Sequence, residues 1–161
     1  MAIKTILLLG DPRLYQVSVP VQEDELAEIK TVIEDLHDTL MAFRETYHCG
    51  RAVAAPQIGV FKRVIYMNID QPVPLINPTL IFKDDEQIEL YDDCMSFPNL
   101  LVKVRRFQHA RIEYRDLEWK LCSMELEGDL SELLQHEYDH LDGILATMRA
   151  IDNKSFQIKK V

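Results

Sequence analysis

The stretch Gln135-His136-Glu137-Tyr138-Asp139-His140 holds two histidines four residues apart, with a glutamate directly after the first. Residues four apart stack on one face of a helix, about one turn from each other. Two imidazoles so placed can hold one metal ion from the same side. Glu137 then falls beside that ion, where a carboxylate can take a proton from a water held there. The chance alternative is a pair of surface histidines. The glutamate in its place and the flanking Leu133, Leu134 and Leu141 count against it.

A catalytic ion normally has three protein ligands and one open position. Zinc endopeptidases usually find the third ligand downstream. Here Gly143 follows at the spacing of one such pattern, but position 146 is Ala and no Glu occurs after Glu137. After His140 the remaining acids are Asp142, which is too close, and Asp152, near the chain end. The third ligand is therefore expected upstream. Cys94 suits it best, because it sits between a strand-like run and the Pro98 turn. A thiolate beside two imidazoles fits a borderline or soft divalent metal. Read alone, Cys94 could equally be a buried structural cysteine. Gln57 closes a run of small residues from Cys49 to Gly59. Its amide is either an ordinary loop group or a donor aimed at a developing oxyanion.

These residues need rigid elements to hold them. A chain of 161 residues suits one domain, residues 1–161, with a sizeable core. Leu26, Ile29, Ile33, Leu36, Leu40, Phe43 and Tyr47 recur at three and four, which predicts a long amphipathic helix over 23–48. Residues 63–68, 75–83 and 88–91 read as strands, with Pro72, Pro74 and Pro78 marking turns or edges. Residues 101–107, 111–115 and 120–126 read as an antiparallel meander. The metal helix follows over 130–141, with Asp129 and Glu132 spaced like a capping box. Residues 152–161 are expected to be short helix or frayed. Gly10-Asp11-Pro12-Arg13 reads as a turn.

Composition narrows the partners. Eighteen Lys and Arg stand against 27 Asp and Glu, a net charge of −9. That argues against nucleic acid or an anionic membrane surface as a direct partner. No apolar run reaches membrane-spanning length, and Met1 to Leu9 does not read as a signal peptide. Cys49, Cys94 and Cys122 are too sparse for a disulfide framework. A reducing cytoplasm is expected.

Three segments, in order, resemble the peptide deformylase family. Gly50-Arg51-Ala52-Val53-Ala54-Ala55-Pro56-Gln57 looks like its first motif, G-Φ-G-Φ-A-A-x-Q. Asp92-Asp93-Cys94-Met95-Ser96 looks like its second, E-G-C-L-S. Gln135 to His140 matches its third, Q-H-E-x-D-H. The resemblance implies an α+β fold, with antiparallel sheets around a central metal-binding helix and a long N-terminal helix. It implies a hydrolase that removes the formyl group from N-formylated peptides, nascent chains at the ribosome among them. It also implies one divalent ion, Fe2+ in the cell, which Zn2+ or Ni2+ can replace. Cys94, His136 and His140 would be its ligands and Glu137 the general base and acid. Gln57 and the backbone N–H of Met95 would form the oxyanion hole.

This chain departs from the pattern at the substrate side. Arg51 and Ala52 replace an apolar residue and a glycine, and Asp92-Asp93 replaces Glu-Gly. Asp129 and Glu132 stand where the family has apolar residues lining the pocket for the formyl-methionine side chain. Gly50, Arg51, Ala52, Asp93 and Glu132 are thus the expected substrate contacts. Asp129 and Glu132 either cap the helix, or Glu132 pairs with Arg51 at the pocket wall and leaves Asp129 as excess charge. Alternative readings are an amidohydrolase with another N-acyl substrate and a non-catalytic metal- or peptide-binding relative.

Overall fold

The computed structural model describes residues 2–160. Helix α1 spans Leu26–Tyr47, after a 3-10 turn over Glu23–Glu25. The strands are β1 (Ala52–Ala54), β2 (Val64–Asn68), β3 (Pro72–Phe82), β4 (Gln87–Asp92), β5 (Leu100–Phe107), β6 (His109–Arg115), β7 (Leu121–Glu127) and β8 (Phe156–Ile158). Helix α2, Asp129–Leu141, carries both histidines. The fold class is the expected α+β.

One sheet has the order β1-β2-β3-β6-β7 and the other β4-β5-β8, with every pairing antiparallel. Period-two alternation places α1 and α2 on opposite faces of the larger sheet. Val53, Val64 and Tyr66 pack with Ile29, Ile33, Leu36 and Leu40 of α1. Their neighbours Ala52, Ala54, Ile65 and Met67 pack with Leu133, Leu134 and Leu141 of α2. Alanines in β1 keep that strand slim, so α2 can lie close to it. The smaller sheet packs with Cys94, Phe97 and Ala146 through Val102 and Val104, and meets α2 where Arg106 bonds to Asp139 and Phe107 to Gln135.

Three sequence expectations are corrected and one is narrowed. Strand β5 does not pair with β6: it joins β4 and β8, while β6 pairs with β3 and β7. The cause lies at Phe107, whose backbone bonds to α2 instead of to a strand. Its N–H donates to Gln135 Oε1 (3.0 Å), and its carbonyl accepts from Gln135 Nε2 and Ser131 Oγ (both 2.8 Å). The tail is neither helical nor frayed at Phe156–Ile158, which pairs with Leu100–Val102. Of the two expectations for Pro72, Pro74 and Pro78, turns or edges, the turns are absent, since all three lie within β3, and the edge holds for the first two. Strand β6 covers β3 only from Ile76 onward, so the first two prolines have one neighbouring strand, and Pro78 falls in the register shift between Ile76 and Thr79. Finally, Asp129 is not a cap. The cap position is Gly128, at φ 63°, with no side-chain cap bond. The expected turn at Gly10–Arg13 is present: Asp11 Oδ1 accepts from Arg13 N (3.0 Å) and starts a 3-10 turn over Pro12–Tyr15.

Gly143, just past α2, lets the N-terminal segment cross the helix end, where Ser18 N donates to Leu141 O (2.8 Å). It has φ +72°, and a Cβ there would lie 2.4 Å from the Tyr15 carbonyl oxygen. Gly59 has φ +81° but open space around it. Gly143→Ala is expected to destabilise the fold by about 2–4 kcal/mol, through clash and backbone strain together. Gly59→Ala should cost only about 1 kcal/mol, from the left-handed backbone alone. Equilibrium urea denaturation of the two variants checks this, and equal losses would show that the Tyr15 crossing yields freely.

Candidate metal centre

Almost every residue of α2 from Ser131 to Leu141 is buried, with Tyr138 half-buried. A helix so enclosed must partner each polar side chain it carries. Gln135 holds Phe107, as described. Asp139 accepts from Arg106 Nη1 (2.7 Å) and from Arg149 through Nε (2.6 Å) and Nη2 (2.9 Å). Tyr138 lies under the guanidinium of Arg63, 5.4 Å from the ring centre.

The two histidine rings meet edge to face, 5.0 Å apart. His136 Nδ1 is 3.0 Å from Asp92 Oδ2. The carboxylate accepts there, so Nδ1 carries a proton and Nε2 is the nitrogen that would face an ion. His140 Nε2 lies 3.3 Å from Cys94 Sγ. Cys94, His136 and His140 together bring ligand-type atoms within 4.8 Å of one another, all three residues buried. The spacing-based expectation for the histidines and the upstream expectation for Cys94 therefore meet at one point.

The chemistry of the donor set fits a divalent ion. Burial holds His140 well below the ordinary histidine range, so its imidazole is neutral, the form that ligates. Burial opposes charge on His136 too, but Asp92 and then Cys94 outweigh it and pull the ring well above its ordinary range. The surroundings of His136 thus favour a positive charge, which a bound ion would supply. One sulfur and two imidazole nitrogens suit a borderline metal.

Glu137 is 3% exposed, its Oε1 is 3.7 Å from His136 Nε2, and its Oε2 is buried without a hydrogen-bond partner among the described residues. Burial raises it to about 7, with His136 drawing it back. Gln57, 1% exposed, is held in one orientation: its Oε1 accepts from Ala54 N (2.9 Å), so its Nε2 points to Ser96 Oγ (3.1 Å) and Cys94 Sγ (3.5 Å). Met95 is buried beside Cys94.

A cavity of about 600 Å³ opens onto Cys94, His136 and Glu137. Gly50, Arg51, Ala52, Asp93 and Glu132 all line it. Gln57 is not among the lining residues, but its Nε2 is 3.5 Å from Cys94 Sγ, which is. Glu132 turns into the cavity and meets Arg51 Nη2 at 3.3 Å. Of the two sequence readings, the Arg51–Glu132 contact is the one present. It is amended in one respect: Asp129 is not left over, because its Oδ2 is 3.5 Å from Arg51 Nη1. Burial and the neighbouring Asp92 push Glu132 up to about 8, with His136 and Arg51 pulling the other way. Asp93 is exposed and pairs with Lys159 (3.2 Å).

Sequence reading missed Asp92 and Arg106 as parts of the centre. Arg106 Nη2 donates to Asp92 Oδ2 at 2.7 Å, both side chains no more than 2% exposed. Burial would raise Asp92, but His136 and Arg106 prevail and keep its carboxyl far below the usual range. A signal did exist: Val102, Val104 and Arg106 alternate on the inward face of β5, and a charge on such a face needs buried partners.

Comparison with known proteins identifies the fold that holds these residues. The family model described as polypeptide deformylase matches residues 3–156. Peptide deformylase 1 of Prochlorococcus marinus is 38% identical over 170 residues, covering 97% of this chain and 85% of the relative. The Thermotoga maritima peptide deformylase is 33% identical over 158 residues, covering 96% and 92%. A crystal structure of the Thermotoga maritima protein superposes with a TM-score of 0.85 at 30% identity, covering 94% of this chain and all of that one. That of the Ehrlichia chaffeensis peptide deformylase in complex with actinonin gives 0.86 at 28% identity, covering 96% and 92%. The fold that gathers the cysteine, the two histidines and the glutamate at one buried point thus has its counterpart in known proteins, and the chain belongs to the polypeptide deformylase family.

Proposed function

We propose that residues 1–161 work as one metal-dependent domain that hydrolyses the formyl group from N-formylated peptides, nascent chains being the natural source of such substrates. The observation that carries this is the convergence of Cys94, His136 and His140 with Glu137 buried beside them. The ion, when bound by those three residues, supplies Lewis acidity and an acidified water. Ferrous iron is the cellular ion in this reading, with Zn2+ or Ni2+ able to replace it. The free thiols Cys49, Cys94 and Cys122 fit a reducing cytoplasm. No helix of the described residues is long and apolar enough to cross a membrane.

The chain's own residues then do the following. Glu137, raised toward neutrality by burial, takes the proton from the attacking water. It returns that proton to the amide nitrogen, which leaves poorly unless protonated. Gln57 holds an N–H toward Cys94, and with the Met95 backbone N–H it stabilises the oxygen charge that develops. Asp92 accepts from His136 Nδ1 and so fixes the ring with Nε2 as the nitrogen that would hold the ion. Arg106 holds Asp92 in turn.

Three measurements test this. Protein prepared without oxygen should carry about one divalent ion per chain, with iron expected. Cys94→Ala, His136→Ala and His140→Ala should each abolish tight binding, since three ligands leave no redundancy; full occupancy in Cys94→Ala would mean another third ligand. Glu137→Gln should retain the metal and lose turnover of a formyl peptide by at least ~10²-fold. Loss of metal instead would make Glu137 a ligand. Arg106→Met should weaken metal affinity by about 10–100-fold through Asp92 and His136. It should also lower stability by about 3–5 kcal/mol, by leaving buried carboxylates unpaired. Unchanged affinity in a folded Arg106→Met protein would separate that network from the metal.

A further inference from the structure

We infer that Arg44 is a positioning residue for the deformylase reaction: it fixes the Gly50–Ala52 wall of the cavity, and through that wall it governs how tightly the peptide binds. This deepens the deformylase reading and rests on it. The chain passes from α1 to β1 through residues 48–51. Two of them, His48 at φ 57° and Gly50 at φ 118°, have left-handed backbone. A Cβ at Gly50 would lie 3.2 Å from Phe43 Cδ1 and 3.3 Å from Leu40 Cδ1, so this passage runs close over α1. Bonding to β2 begins at Arg51, whose carbonyl accepts from Asn68 N (2.8 Å). Before that point a side chain holds the wall. Arg44 Nε donates to Gly50 O at 2.7 Å, and its Nη2 donates to Asn68 O. One guanidinium thus ties the last turn of α1 to the segment entering β1 and to the end of the neighbouring strand. A planar fork with donors in fixed directions suits two carbonyls on separate segments; a point-like ammonium does not. Arg44 is half-buried and itself lines the cavity, with Gly50, Arg51 and Ala52.

This tie acts at one end of β1, and the chemistry is held at the other. Ala54, fully buried and paired with Ile65 of β2, orients Gln57 through its N–H (2.9 Å). The bonds of Arg44 go to α1, to the 48–51 passage and to β2, not to α2 or to the segment that bears Cys94. Freeing Gly50 therefore loosens the wall and leaves the metal ligands, Glu137 and Gln57 in place. A loosened wall has to be ordered again each time a peptide binds. That costs affinity in the ground state and the transition state alike, which raises KM and spares kcat.

The test uses the metal-loaded enzyme, with one ion per chain verified, and a formylated tripeptide. Arg44→Met keeps much of the side chain's length and removes both bonds. It is expected to raise KM roughly tenfold, with kcat within about twofold and metal occupancy unchanged. Binding of the deformylated product, read by calorimetry, should weaken by the same factor. A loss of stability alone would lower the folded fraction, and so kcat per chain, without moving KM. Arg44→Lys, which can bond one carbonyl at a time, should fall between Arg44→Met and the unmodified protein, and it carries the test if Arg44→Met does not fold. Unchanged KM in Arg44→Met, or in Arg44→Lys where that variant stands alone, would overturn the inference and leave the deformylase reading standing. A fall in kcat with KM held would do the same. No turnover of any formyl peptide by the unmodified protein, with metal bound, would overturn both.

Discussion

A buried guanidinium holds this centre together. Arg106 on β5 reaches Asp92 at the end of β4 and Asp139 on α2, each at 2.7 Å. Asp92 then touches His136, two residues before Cys94 in the chain the strand β4 hands on. The strand end that leads into Cys94 and the helix that bears both histidines are therefore joined through one side chain. Buried ion pairs contribute little to net stability, because desolvation offsets most of their attraction. What this one supplies is position. Short charge-assisted bonds have narrow geometry, so the three ligand-type residues are held close together.

The same requirement explains why α2 is polar yet enclosed. Gln135, Asp139 and Ser131 each use their polar atoms on a neighbouring element rather than on water. Phe107 is the joint: its backbone bonds to α2 and so cannot continue into β6, and the chain passes there from one sheet to the other. Sheet topology and site geometry thus share a cause. Gln135 and Asp139 belong to the motif that carries the histidines, but their work is to anchor α2 between two sheets.

The cavity differs from this arrangement in its engagement. At Arg106 every contact is short, whereas around Arg51 the contacts are long and one carboxyl partner, Asp129, is 87% exposed in its side chain. A tight network and a loose one lie on the two sides of Asp92. The tight one faces the core and the loose one faces the cavity.

Much of this was open to sequence reading alone. The histidine spacing, the adjacent Glu137 and the three-and-four pattern of α1 are local signals, written within one or a few turns of helix, and each survives in the structure. Cys94 was legible only by exclusion of downstream ligands, and the resemblance then supported it. Gln57 was legible as an amide but not as one oriented by Ala54 N. The tertiary structure alone decided the rest. The spacing of Asp129 and Glu132 fits a capping box, yet Gly128 takes the cap and Arg51 draws Glu132 inward, because a partner 81 residues distant is invisible to local pattern. Strand alternation in β5 to β7 suggests a meander, yet two side chains of α2 claim the backbone at Phe107. A period of two states which face a side chain takes. It does not state which strand lies alongside, since that depends on where distant hydrogen-bond partners are placed.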